Sequence, residues 1–271
     1  KQKTFIVTSI FNSGLADFDN NIALINLSTL EDFFGFKQEQ RNLEIYLKNP
    51  KNIEKQKFVF QKVYDQELIY SWADMVAAAL ASETGKVGFV GGMDIPLIRK
   101  FACGYVGGVK AANGNADVYQ NMTGTTPSAW NDPGKGAELA KSQIDRGADV
   151  VYHAAGGTGL GVIQAAADAG KLAIGVDSNQ NGLAPGSVLT SMLKRVDVAA
   201  YETFKDAMEG KFTSGLQALG IAEGGVDWAL DENNASLITA DIKAAVEKAR
   251  KDILSGAVTV HNYESTSSCP Y

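Results

Sequence analysis

The 271-residue sequence is poor in the groups that several common chemistries require. Two histidines are too few for a His-rich metal centre, and two cysteines in a chain this long exclude a disulfide-stapled miniprotein. No window of 18 or more apolar residues occurs, so no membrane-spanning helix is expected. The opening KQKTFIVTSIF is too polar and too soon interrupted to be a signal peptide, although a mature exported chain would look the same. Positive charge is also short: Lys+Arg 25 against Asp+Glu 31 gives −6, the wrong sign for gripping phosphate backbones, and nucleic acid is not an expected partner. Cys103 sits on an apolar helical pattern and Cys269 in a polar tail, so Cys103 is expected to be a small core residue rather than half of a bridge.

Catalytic and cofactor motifs fail on inspection. GGTGLG invites a dinucleotide reading, but from Gly157 the third glycine falls at Gly161, one place early for G-x-G-x-x-G. GKVG around Lys86 lacks the Ser or Thr and the leading glycine of a phosphate-binding P-loop. Asp17, Asp19 and Asn21 start like a calcium loop, but Ile22 stands where the tight turn needs glycine, which leaves a polar turn. No G-x-S-x-G, H-E-x-x-H or Cys–His arrangement appears. No catalysis and no cofactor are expected, and His153 reads as a packed or hydrogen-bonded strand residue.

What the sequence does have is unevenly distributed. Only Gly14 and Gly35 of the 28 glycines precede residue 76, alanine divides 3 to 32 across that point, and 8 of 12 phenylalanines lie before it. The shift predicts a boundary between residues 1–75 and 76–271. In the first part, residues 3–11, 22–27, NLEIYLK and LIYSW read as strands. Ser28 and Glu31 form a capping box for a short helix, and Pro50 opens another, so this is a small α+β segment.

From Val76 onward, strand, glycine loop and helix alternate. Strands are expected at KVGFVGG, ADVYQN, ADVVYHA, KLAIGV and SVLTSMLK. Helices are expected over about 95–112, 133–146, up to 169, 196–208 and 240–254, with the last ten residues irregular. Crossovers of this length mean an α/β fold, a parallel sheet with helices on both faces. Ligands of such sheets bind beyond the carboxyl ends of the strands. One rim should therefore gather Asp94, Trp130, the Gly156–Gly157–Thr158 loop, Asp177 and Lys194. A carboxylate, an ammonium, an aromatic plate and backbone amides together would suit a neutral ligand with hydroxyls and a flat ring.

The strings KVGFVGGMDIPLIRKF, WNDPGKGAELA, RGADVVY, AAGGTGLGV, IGVDSNQ and VLTSMLKRVDVA occur in that order. They resemble the basic membrane protein, or PnrA-like, family of substrate-binding proteins of ABC importers. The resemblance implies a lobe of the periplasmic-binding-protein type I kind, a periplasmic or envelope-attached location, a nucleoside-like small molecule as ligand and a membrane permease as partner. It also implies that Asp177 and Lys194 contact ribose hydroxyls, with Trp130 or Tyr152 as the aromatic this lobe sets against the base. Residues 1–75 depart from the family, whose first lobe carries a DDKSFNQ-like block. KTFIVTSIFNSGLADFDNNIALINL, LEIYLKNP and LIYSWADM instead resemble the end of the extracytoplasmic domain of lipoprotein-releasing ABC permeases. On that reading the chain joins pieces of two transporters, the ligand would be enclosed from one side only, and binding is expected to be weak. The helix over 196–208 would have lost its packing partner. The second functional reading, an interaction module of such a permease, would need a membrane-spanning continuation after LIYSWADM, where VAAALASETG stands instead.

Overall fold

Short β-branched runs followed by glycine-bearing loops and helical patterns dictate the architecture from residue 86 onward. The structure, a computed structural model, describes residues 72–213 and 219–271, all within one unit spanning residues 65–271. The elements expected before residue 72 lie outside the described residues.

Among the described residues six strands form one sheet: β1 (Lys86–Met93), β2 (Asp117–Gly124), β3 (Val150–Ala154), β4 (Leu172–Asp177), β5 (Val188–Lys194) and β6 (Val226–Trp228). Their order is β2-β1-β3-β4-β5-β6, with β1 to β5 parallel. The antiparallel β6 falls in a region expected only to be extended, and it pairs Trp228 with Met192. Because the chain reverses its direction of winding after β1, β1 and β3 are neighbours at a topological switch point.

The helices are α1 (Trp72–Ala81), α2 (Pro96–Ala112), α3 (Pro133–Asp145), α4 (Gly159–Asp168), α5 (Val196–Met208), α6 (Ala240–Leu254) and the short α7 (Tyr263–Thr266). Local chemistry sets their starts. Pro96 and Pro133 occupy first-turn positions where a missing N–H costs nothing; Asp132 accepts from the Lys135 N–H and Thr239 from the Ile242 N–H as caps. Trp72, the last residue of the expected LIYSW strand, instead opens α1, and its side chain is buried with Met75 in the core. The apolar run that follows continues a helix once it has α2 and α6 to pack against.

Alternation along the strands divides the interior in two. Val87, Phe89, Val150, Tyr152 and Ile174 face α1, α2 and α6; Val90 and Val151 face α3 and α4 with Ala140, Val162 and Ala165. At the amino end of the sheet, buried Asp149 accepts from the Glu83 and Thr84 N–H groups, each at 2.8 Å, and from Ser82 Oγ. These bonds tie the α1–β1 turn to β3. Not every helix packs: α5 has no buried side chain, and Tyr201, Phe204 and Met208 lie in solvent.

Two expectations for the C-terminus are corrected. Cys103 is indeed buried, but it is also bonded to Cys269 across 166 residues of sequence. The tail is not irregular throughout, since it forms α7 and folds back over α2. Glu264 meets the buried Lys100 at 3.1 Å, and Tyr271 lies against Gly107. Residues 166 apart leave no local signal of pairing, so only the return path of the tail reveals it.

Candidate functional site

With five parallel strands, all their carboxyl ends open on one edge, where the expected residues gather. Asp177 ends β4 and Lys194 ends β5. Asp177 Oδ1 lies 2.9 Å from Lys194 Nζ, with the two side chains 53% and 25% exposed. Asp177 has φ 68°, a left-handed conformation that aspartate tolerates better than most residues and that recurs at binding sites. Lys194 is aimed by a register shift. Ala173 pairs with Val188 but Ile174 with Thr190, and this one-residue bulge resets the alternation of β5. Lys194 consequently leans to the α2 face, its Nζ 4.9 Å from the centre of the Phe101 ring. Phe101 was not legible as a site residue, because nothing local in the sequence links it to Lys194.

Trp130 closes a single helical turn, Pro127–Trp130, after β2. Its ring approaches β1 at Gly92, where a Cβ would come within 2.4 Å of the indole, so glycine there is the condition for the ring to come this close to the strand. The loop is pinned on both sides by Thr158, whose Oγ1 donates to the Ala129 carbonyl and accepts from the Asp132 N–H, both at 2.8 Å. Thr158 is therefore fully buried and braces Trp130 from below. Gly156 is exposed beside Trp130, and Gly157 is half-buried next to Asn131.

Tyr152 is not brought to this group, and Asp94 is tied to a cation of its own. Tyr152 points from β3 into the core, 1% exposed, with ring centroids 5.5 Å from Phe89 and 5.3 Å from Tyr105. Of the two aromatics the sequence offered, Trp130 is the one at the rim. Asp94 follows β1 as expected, but both of its oxygens accept from Arg99, each at 2.7 Å, and its own N–H donates to the Gly124 carbonyl at 2.8 Å. The guanidinium holds this carboxyl below the ordinary aspartate range against a smaller desolvation effect.

Under the rim, the Ser178–Asn181 loop is held by a buried polar network. The Gln180 N–H donates to Ser191 Oγ at 2.9 Å, and Ser191 Oγ donates to Asn181 Oδ1 at 2.8 Å. Asn181 and Asn179 both donate to Asp231, at 3.1 and 2.6 Å. His153 is fully buried at the base of this loop, and burial lowers its pKa to about 4, so it is neutral near pH 7. The expectation of a hydrogen-bonded strand histidine fits this position.

Known proteins resemble this chain over its described part. The model of the family described as ABC transporter substrate-binding protein PnrA-like matches residues 76–262. Basic membrane protein D of Borreliella burgdorferi is 39% identical over 160 residues, covering 58% of this chain and 46% of that protein. The ABC transporter nucleoside-binding protein BmpA of Lactococcus lactis is 36% identical over 203 residues, covering 68% of this chain and 55% of its own. The chain thus spans about half the length of these relatives. A crystal structure of an ABC transporter solute-binding protein from Aeropyrum pernix superposes with TM-score 0.59 at 28% identity, over 70% of this chain and 63% of that one. The shared architecture is that of type I periplasmic binding proteins.

Proposed function

The chain belongs to the PnrA-like family of ABC transporter substrate-binding proteins, not enzymes, and from that premise we propose that the rim of its parallel sheet binds a purine nucleoside or similar ligand for delivery to a membrane permease outside the cytoplasm. The observation that carries this reading is the Asp177–Lys194 pair, half-exposed at the ends of adjacent strands, with Asp177 in a left-handed conformation.

A sugar diol both donates and accepts, so its hydroxyls can donate to the Asp177 carboxylate while accepting from the Lys194 ammonium. Opening an ion pair this exposed costs about 1 kcal/mol or less, whereas hydrogen bonds to charged groups return roughly 1.5–3 kcal/mol each where water is excluded. Trp130 would stack on the base, and Gly156 and Gly157 allow close approach of backbone to ligand. In this reading Thr158 supports Trp130, Asp94 is held by Arg99, and Tyr152 serves the core. The name of the Lactococcus relative, a nucleoside-binding protein, favours the same ligand class.

A thermal-shift panel tests it. Purine nucleosides should raise the melting temperature with concentration as RT ln(1 + [L]/Kd), while Asp177→Ala should remove the response. If no nucleoside moves either protein, the ligand assignment is wrong.

A further inference from the structure

One buried side chain touches both loops that carry the rim. His153 stands on the α3/α4 side of β3, with its Nε2 3.0 Å from Gln180 Oε1. That same oxygen accepts the Val176 N–H at 2.8 Å. A backbone N–H can only donate, so the Gln180 amide must present its oxygen, and His153 Nε2 must carry the proton. The other nitrogen, Nδ1, is buried with no hydrogen-bond partner among the described residues and sits against the start of α4. A Cβ on Gly159 would come within 2.0 Å of it. The imidazole is a wedge between the Gly156–Gly159 turn and the loop after Asp177.

Gln180 completes the arrangement. Its side chain returns to Val176, the residue before Asp177, while its own N–H is held by Ser191. Residues 176 to 180 are closed into a ring, and Asp177, at φ 68°, is the residue whose backbone makes the turn. A left-handed non-glycine residue persists only when its surroundings over-determine it. His153, from inside the protein, and the Gln180 side chain do so here.

We propose that His153 and Gln180 are positioning residues for ligand binding: the His153–Gln180–Val176 hydrogen bonds hold Asp177 in the conformation that turns its carboxylate toward Lys194 and the ligand. The proposal rests on the reading of Asp177 as the ligand-binding carboxylate. It also couples the glycine loop to the aspartate loop, because the same imidazole supports both.

The test uses the full chain and two kinds of measurement. In Gln180→Met, which keeps the length but loses the acceptor, the Val176 amide should exchange with solvent about tenfold faster, the loss of one ordinary hydrogen bond. The three-bond HN–Hα coupling of Asp177 should leave its left-handed value. Affinity for guanosine, adenosine and inosine by calorimetry should fall about tenfold, the same hydrogen bond expressed as binding. His153→Met should behave alike, whereas His153→Gln, which can place an amide N–H near the position of Nε2, should recover most of the loss. In an Asp177→Ala background Gln180→Met should cost no further affinity. Gln180→Asn, which keeps an amide but shortens its reach, serves if the methionine variant folds poorly. Unchanged Val176 exchange and Asp177 coupling would overturn the proposal, as would equal losses of affinity with and without Asp177. If no nucleoside binds the parent chain, the functional reading fails, while exchange and coupling still decide whether the two residues position Asp177.

Discussion

Asp94 and Asp177 occupy equivalent places, each just beyond or at the end of a parallel strand, and each is paired with a cation. Their surroundings differ, and on the proposed reading the difference separates a structural carboxylate from a ligand-binding one. Asp94 gives both oxygens to one guanidinium five residues along, in the first turns of α2, with planar bidentate geometry. Asp177 gives one oxygen to a single ammonium, keeps half its surface in water and is turned outward by an unusual backbone conformation. Spare acceptor capacity distinguishes them. An aspartate gripped on both oxygens by one partner offers a diol less, whereas one with an oxygen outside its ion pair among the described residues and a nearby donor offers both halves of the recognition.

The comparison can be broken by substitution, beginning where the effect is greatest. Asp177→Ala should weaken nucleoside binding roughly 10–100-fold by calorimetry, the loss expected for hydrogen bonds to a charged group. Trp130→Ala should cost roughly tenfold through lost stacking, with the preference among sugars unchanged because the ribose contacts remain. The tail distinguishes the two ends differently. Cys269→Ser releases the strap over α2, the helix that carries Arg99, and should lower unfolding free energy by about 2–4 kcal/mol in denaturant titrations while leaving affinity alone. Asp94→Asn should change affinity by no more than about twofold, since the pair it breaks is a partly exposed one.

A pH series sharpens the Asp177 end further. The folded-state pKa of His153 is depressed to about 4 from an ordinary value of 6.5, so the unfolded chain binds more protons between those values. The stability that neutral, buried His153 confers is therefore complete above pH 6.5 and is lost as pH falls toward about 4. Thermal melts across that interval should show the decline, and His153→Gln should flatten it.

Much of the rim was legible in the sequence because its elements are local. Alternating strands and helices specify the parallel sheet, and the carboxyl-end rule is enough to bring Asp177, Lys194 and Trp130 to one edge. What escaped was set by contacts between distant segments. Tyr152 looks available in ADVVYHA, but period-two alternation places it beneath α2 with Phe89 and Tyr105. Thr158 reads as part of an open glycine loop, yet its hydroxyl is spent on Ala129 and Asp132. The bulge in β5 and the disulfide at the tail have no short-range signature, and the short β6 has too little periodicity to announce itself. Helices α5 and α6 carry comparable apolar residues, but only α6 buries any of them, Ile242, Val246 and Ala249. Amphipathic pattern shows which face a helix could bury, and its neighbours decide whether it does.

Carboxyl-carbon NMR shifts of Asp94 and Asp177, followed while a purine nucleoside is titrated into the protein, put the two aspartates in direct competition. The account predicts a saturable change at Asp177, matched by the Lys194 side chain, with Asp94 nearly silent. A saturable change at Asp94 with Asp177 unmoved would contradict it.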